Sequence, residues 1–303
     1  MRLVTFGADG EAARPGIAID DRVVDLAAGA AALQGNPVDS LVTLLQQGEA
    51  GLALARRVEA AAIAGDLPAR PEADVQLRAA IPRPPTIYLL AGNYQSHITE
   101  SGAVPVRKEA ITPRPFIKPA TSVIGTGDAI EIPPDSDTVD YEIEIAAVIG
   151  NGGRQIPEAE ADGHVAGYLV FNDLSARQLK IADKREGREG DWFFDWLLGK
   201  WCDSFAAVGP YLVTRDEIGD PRDLEMSLRV NGDLRQHSAA GEMIFTVSET
   251  IAFLSRFVTL QPGDLLCMGT PGGVGDTTAT YLRAGDLVEA EIERLGRLVN
   301  PVT

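Results

Sequence analysis

Ten residues, Tyr141-Glu142-Ile143-Glu144-Ile145-Ala146-Ala147-Val148-Ile149-Gly150, restrict the fold more than any other stretch of the chain. β-Branched and aromatic residues dominate, Pro133-Pro134 precede the run and Gly150 closes it, so it reads as a strand. Strand alternation puts Glu142 and Glu144 on one face with Ala146 and Val148, and Tyr141, Ile143 and Ile145 on the other. At two residues' separation the carboxylates stand about 7 Å apart. Beyond them both faces are apolar, which reads as burial at that end. Like charges there repel, and they call for a proton or an intervening cation. A hard divalent ion with oxygen ligands is the economical solution. From the strand alone, an edge position with two solvated glutamates is an equal alternative.

A chain of 303 residues, 45% of them hydrophobic, has room for one large domain and a small one. Its formal net charge of -17 argues against nucleic acid or an anionic membrane surface as partner. An anionic small molecule stays admissible, because a metal and a few local cations outweigh distant surface charge. Cys202 and Cys267 are too few for a disulfide framework, which fits a reducing compartment. The N-terminus lacks a signal-peptide core and no run of ~18 apolar residues occurs, so the expectation is a cytoplasmic protein.

The composition of successive segments predicts an α+β, mostly β architecture in which a small N-terminal α+β domain, residues 1–70, precedes a large mixed β-roll at 86–303. Short strands are expected at 3–6, 16–19 and 22–26, with a turn at 8–10, followed by helical spacing over 38–64 broken at Gln47-Gly48. Five prolines between 65 and 86 read as a linker, at 71–85. Further strands are expected at 86–90, 116–118, 142–149, 165–172, 208–214, 225–230, 265–268 and 287–292, and a helix from about 248 to 257 capped by Ser248.

Four further stretches suggest chemistry. In the glycine-bounded run from Ala91 to Gly102, one helical turn would set His97 beside Glu100 at i and i+3. A carboxylate orients an imidazole and raises its basicity, which suits a general base, although a surface pair is the commoner outcome. An apolar strand runs into Asn172-Asp173, where Asp173 is either a third carboxylate for a cation or a helix N-cap. Lys200, between apolar residues after Gly199, either neutralises an anion or snorkels to the surface. The loop Gly269-Thr270-Pro271-Gly272-Gly273-Val274-Gly275 is neither a dinucleotide nor a phosphate signature, and it offers backbone N–H groups and the Thr270 hydroxyl to a carboxylate.

Together these stretches resemble the fumarylacetoacetate hydrolase family. The resemblance rests on GNYQSHITESG (92–102), FIKPATSVIG (116–125), DYEIEIAAVIG (140–150), AGYLVFNDLSAR (166–177), LGKWCDSFAAVGPYLVT (198–214), VNGDLRQ (230–236) and PGDLLCMGTPGGVG (262–275), in the family's order. It implies a divalent ion, Mg2+ or Mn2+ and in some members Ca2+, on Glu142, Glu144 and Asp173. It also implies a catalytic His97–Glu100 pair on a lid, Lys200 as a further catalytic residue, and substrate contacts from Tyr94, Arg177, Gly269 and Thr270. Where many members carry Gln three residues after the motif arginine, this chain has Lys180, which either favours a more anionic substrate or faces solvent. The cations and aromatics at 181–196, Lys184 and Trp196 among them, suggest a lid over an anionic ligand or an interface. The implied function is hydrolysis of a C–C bond in a 2,4-dioxo acid to a 2-oxo acid such as pyruvate and a carboxylic acid. Decarboxylation or isomerisation of an oxo-dicarboxylate, or binding of an oxo acid without catalysis, is the alternative. The resemblance further implies a homodimer.

Overall fold

The computed structural model describes residues 1–7, 11–181 and 185–303; the turn expected at 8–10 and Lys184 lie outside the described residues. A 12-stranded mixed sheet forms the frame. From one edge its path runs Ala69–Pro71, Arg22–Asp25, Arg14–Ile19, Arg2–Gly7, Ala206–Thr214, Val165–Asp173, Ile143–Ile149, Leu265–Cys267, Ile87–Leu90 and Pro115–Lys118. A four-stranded antiparallel sheet is built from Asp233–Ala239, Glu225–Val230, Leu287–Ile292 and Gly296–Pro301. The fold is therefore mostly β within an α+β class, as the strand-rich sequence implies.

The strand Ile143–Ile149 lies near the middle of the large sheet, and every residue in it is buried. Its two faces enter two different cores. Ile143, Ile145, Ala147 and Ile149 pack with Met226, Leu228, Val288 and Ile292 of the four-stranded sheet. Ala146 and Val148 join a second cluster with Leu169, Phe171 and the helix residues Leu41, Leu44 and Val58. The solvated edge reading is thereby corrected, because neighbouring strands hydrogen-bond on both sides and apolar layers cover both faces.

Residues near the N-terminus do not make a sheet of their own. Arg2 and Leu3 pair with Val213 and Leu212, so the first strands extend the large sheet. Helices Leu41–Gln46 and Gly48–Ile63 meet at the expected break, and their apolar stripe of Leu41, Leu44, Leu45, Leu54 and Val58 covers the sheet face that carries Ala146. The stretch expected to be a linker holds the short strand Gln76–Leu77, paired with Phe6 and Gly7. The late helix is Val247–Leu254, capped by Thr246 in a reciprocal capping box with Glu249 rather than by Ser248. Ser248 instead donates to Asp162. The sequence reading missed a helix that begins inside the 181–196 stretch, Asp191–Gly199.

Candidate active site

Strand register builds the carboxylate cluster. Ile143 pairs with Asn172 and Glu144 with Phe171 in antiparallel order, and the Asp173 N–H donates to the Glu142 carbonyl at 2.8 Å. Glu142 and Asp173 are thus cross-strand neighbours, with Glu144 one alternation further along the same face. One oxygen from each of the three falls within 4.8 Å of the others. Glu142 precedes the regular strand, and Asn172 fixes it there by accepting from its N–H at 2.9 Å. No helix starts after Asp173, which corrects the N-cap alternative; the chain continues into the strand Ser175–Ala176.

Cations lock this face. The Lys200 ammonium donates to Glu142 at 2.8 Å and to Asp173 at 2.6 Å, and it is 3% exposed, so it does not snorkel. Gly199 permits that approach, since a Cβ there would meet the Ala176 carbonyl at 2.2 Å. Lys118 donates to the other Asp173 oxygen at 2.5 Å and to the Leu174 carbonyl at 2.8 Å. Arg177 lies 2.6 Å from Glu142 and 2.8 Å from Asp140. Asp140 also accepts from Gly275 and Asp276 N–H groups, which ties the glycine-rich loop to the cluster.

Burial pushes the Glu142 carboxyl up, but Lys200 and Arg177 outweigh burial and hold it well below the usual range. Glu144 behaves oppositely. Burial first, then the charges of Asp173 and Glu142, raise it well above that range. Burial also works against the charge of Lys200, yet Asp173 and Glu142 prevail and raise its pKa, whereas burial wins at Lys118 and lowers it. With all four of Asp140, Glu142, Glu144 and Asp173 ionised, the three cations Lys118, Arg177 and Lys200 leave the cluster one positive charge short, and a proton on Glu144 fills that deficit until a cation does. A buried set of hard oxygen donors lacking countercharge fits a divalent cation on Glu142, Glu144 and Asp173. With such an ion the balance becomes positive and favours an anionic ligand.

His97 and Glu100 come from the helix Gln95–Glu100, the single turn that their spacing predicts. The His97 Nδ1 stands 2.5 Å from Glu100 Oε1, and Glu100 Oε2 accepts from the Gly273 N–H at 2.6 Å. Burial raises the Glu100 pKa, but the His97 contact and the Gly273 N–H carry it below the ordinary value. An ionised Glu100 directs the Nδ1 hydrogen to itself and leaves Nε2 free. His97 lines a cavity of about 100 Å³ together with Glu142, Asp173, Arg177, Trp196, Lys200 and Thr270. The rings of Phe116 and Trp196 meet edge to face at 4.9 Å on its wall, and Lys200 faces both.

Two sequence-derived contacts are corrected, and Lys180 takes the solvent-facing one of its two alternatives. Tyr94 is fully buried, and its hydroxyl donates to the Ala240 carbonyl at 3.3 Å, so it belongs to the core and not to the cavity wall. Lys180 pairs with Asp137 at 2.7 Å on the surface, with half of its side chain in solvent. The Gly269 N–H is occupied by Glu144 at 2.8 Å, so it holds a carboxylate of the protein itself. Sequence reasoning missed Lys118, Asp140 and Phe116 as site residues, whereas Trp196 lies in the stretch read as a lid or an interface. The first three sit inside quoted motifs, and a lysine ending the apolar run Phe116-Ile117-Lys118 was a usable signal for a buried, paired cation.

The fumarylacetoacetate hydrolase C-terminal model matches residues 86–303. A mitochondrial oxaloacetate tautomerase of Bos taurus is 41% identical over 308 residues, covering 100% of this chain and 91% of the relative. Among solved structures, maleylpyruvate hydrolase from Sphingobium sp. SYK-6 in complex with manganese(II) ion and pyruvate superposes with a TM-score of 0.76 at 28% identity, covering 100% of this chain and 99% of that one. The 5-carboxymethyl-2-hydroxymuconate delta-isomerase from Mycobacterium smegmatis does so with a TM-score of 0.72 at 28% identity, covering 100% and 98%. No helix among the described residues is long and apolar enough to cross a membrane.

Proposed function

The chain belongs to the fumarylacetoacetate hydrolase family, and from that premise we propose that it is a divalent-metal-dependent enzyme acting on a small anionic 2-oxo acid, with keto–enol tautomerisation of an oxaloacetate-type oxo-dicarboxylate as its reaction. One observation carries this reading: Glu142 and Asp173 of the carboxylate cluster, Lys200 and the His97 ring line the same small cavity, about 100 Å³. That volume suits a compact acid better than an extended acyl chain. The full-length likeness to an oxaloacetate tautomerase supports the same substrate class.

Glu142, Glu144 and Asp173 would hold Mg2+ or Mn2+, with Ca2+ a larger fit for the same oxygens. When bound, the ion supplies Lewis-acid polarisation of the oxo group and its carboxylate. Lys200 and Arg177 keep positive charge beside the place where negative charge grows as the substrate enolises. Glu100 holds the Nδ1 hydrogen of His97, so Nε2 takes the proton from the carbon next to the oxo group, and the imidazolium returns it to oxygen. Thr270 orients the substrate carboxylate. A homodimer, measurable by light scattering, accompanies this reading.

Hydrolytic cleavage of a 2,4-dioxo acid is the second reading. The His97–Glu100 pair favours it, because a base so oriented also activates water. The fold shared with maleylpyruvate hydrolase supports it too. Mg2+-loaded protein given enol oxaloacetate should accelerate loss of enol absorbance without releasing CO2. Cleavage of acylpyruvates into two acids would favour the second reading, and CO2 release would favour decarboxylation. A rate on every such acid no greater than that of His97→Ala would overturn both readings.

A further inference from the structure

Gln236 ends the 230–236 motif and is 1% exposed, seated behind the cavity wall. Its amide has one orientation. Oε1 accepts from the Ile143 N–H at 3.0 Å, and Nε2 donates to the Pro271 carbonyl at 2.9 Å. A backbone N–H only donates and a carbonyl only accepts, so a flipped amide would lose both bonds. The second Nε2 hydrogen goes to Thr270 Oγ1 at 2.8 Å. Thr270 therefore receives a hydrogen bond from the protein side, and among the described residues its own hydroxyl proton is donated to none. Thr270 is 3% exposed and lines the cavity that holds His97 and Lys200.

We propose that Gln236 is a positioning residue that makes the Thr270 hydroxyl an obligate donor toward a bound carboxylate. A hydroxyl left to itself turns its proton wherever an acceptor stands. With one lone pair filled from behind by an amide that two backbone groups fix, and no acceptor for its proton among the described residues, Thr270 keeps that proton for an acceptor in the cavity. Donation to an anion is stronger than donation to a neutral oxygen, so the arrangement selects a carboxylate. Because Ile143 belongs to the strand of Glu144 and Pro271 to the glycine-rich loop, one side chain sets the donor in register with the carboxylate cluster. This inference rests on the reading that an oxo acid occupies the cavity.

The test is calorimetric binding of oxalate to Mg2+-saturated protein. Thr270→Val removes the donor and should weaken oxalate by about 10- to 100-fold, the range of a hydrogen bond to a charged group. Gln236→Glu still accepts from Ile143 but cannot donate to Thr270, whose proton then turns inward, so a similar loss is expected. Added to Thr270→Val, Gln236→Glu should cost nothing further, whereas a purely electrostatic effect of the new carboxylate would persist in the double variant. Thr270→Ser should bind as the parent does. If Gln236→Glu fails to fold by thermal melting, Gln236→Met should show a smaller loss that also vanishes on the Thr270→Val background. Additive losses, or full oxalate affinity in the Gln236 variants, would overturn the inference while leaving the proposed function standing. Parent protein that fails to bind oxalate would overturn both.

Discussion

The two walls of the cavity are built on opposite plans. On one side, Glu142, Glu144 and Asp173 project from paired central strands, each at most 4% exposed; buried lysines lock Glu142 and Asp173, and the Gly269 N–H holds Glu144. On the other, the His97 and Glu100 side chains are 24% and 15% exposed, on a six-residue helix with no side-chain cap. That helix is held by few contacts: the Glu100 bond to the Gly273 N–H, the Ser96 bond to the Gly272 N–H, and the pairing of Gln95 with Val106. The charge-bearing wall needs no rearrangement to act, because register fixes each group, with ion pairs at Glu142 and Asp173 and a backbone N–H at Glu144. The proton-moving wall rests on an element with little buried apolar surface, the kind that opens locally at low cost. Electrostatics is thus invested in the sheet, and access to it in the helix.

Variants should separate the walls, the largest effect first. Asp173→Ala strips Lys118 of its carboxylate and leaves Lys200 with Glu142 alone, and breaking a buried pair in this way costs about 3–5 kcal/mol of stability. Activity should fall by at least about 1000-fold, and chelation of the divalent ion by the parent should abolish it as fully. Melting temperature and turnover report the two effects; a stable, active Asp173→Ala protein would break the comparison. His97→Ala should lower turnover by about 100- to 10,000-fold while melting temperature and calorimetric Mg2+ affinity stay at parental values. Loss of metal affinity in that variant would mean that the two walls are not separable.

The sheet side was also the more legible of the two. Alternation of apolar residues around Glu142 and Glu144 fixes which side chains share a face, and it survives into the structure because both faces are buried. The third carboxylate was visible at a strand end, and its register against Glu142 follows once the strands pair. Long-range partners were not visible. Nothing local says that Arg2 and Leu3 would pair with Val213 and Leu212, so the N-terminal strands read as part of a small domain at 1–70. Tyr94 stands two residues before Ser96 in a motif that reads as functional, yet its ring fills the core, a choice made by Ala240 far along the chain. The helix Asp191–Gly199 escaped because Trp192, Phe193 and Phe194 lie exposed on it, which blurs the amphipathic pattern.

Glu100 offers a finer test of the helix side. Its pKa is depressed in the folded protein, so its ionised contacts stabilise the docked helix above the ordinary carboxylate range and are lost only as pH falls through the lower folded value. The proton signal of the His97 Nδ1–H should therefore persist below that ordinary range. In Glu100→Gln the same signal should lose this acid transition, with turnover reduced by about 10- to 100-fold. A signal that disappears near neutral pH in the parent would show that Glu100 does not hold the ring.

The smallest expected effect comes from the cation that sequence alone could not place. Lys180 and Lys200 both follow motif residues, and both stand beside carboxylates. Lys200 is buried between two of them; Lys180 pairs with Asp137, and their side chains are 49% and 67% exposed. In water such a pair gains little Coulomb energy and gives up side-chain freedom, so it contributes almost nothing to stability. Burial, more than charge, separates the two lysines. Lys180→Ala should leave turnover and substrate KM at parental values and shift stability by no more than about 0.5 kcal/mol. Lys200→Ala should remove activity and take one cation from Glu142 and from Asp173 together, leaving them Arg177 and Lys118. A rise in KM for a dianionic acid in Lys180→Ala, absent for a monoanionic one, would place Lys180 at the mouth of the cavity and extend the charge-bearing wall beyond the sheet.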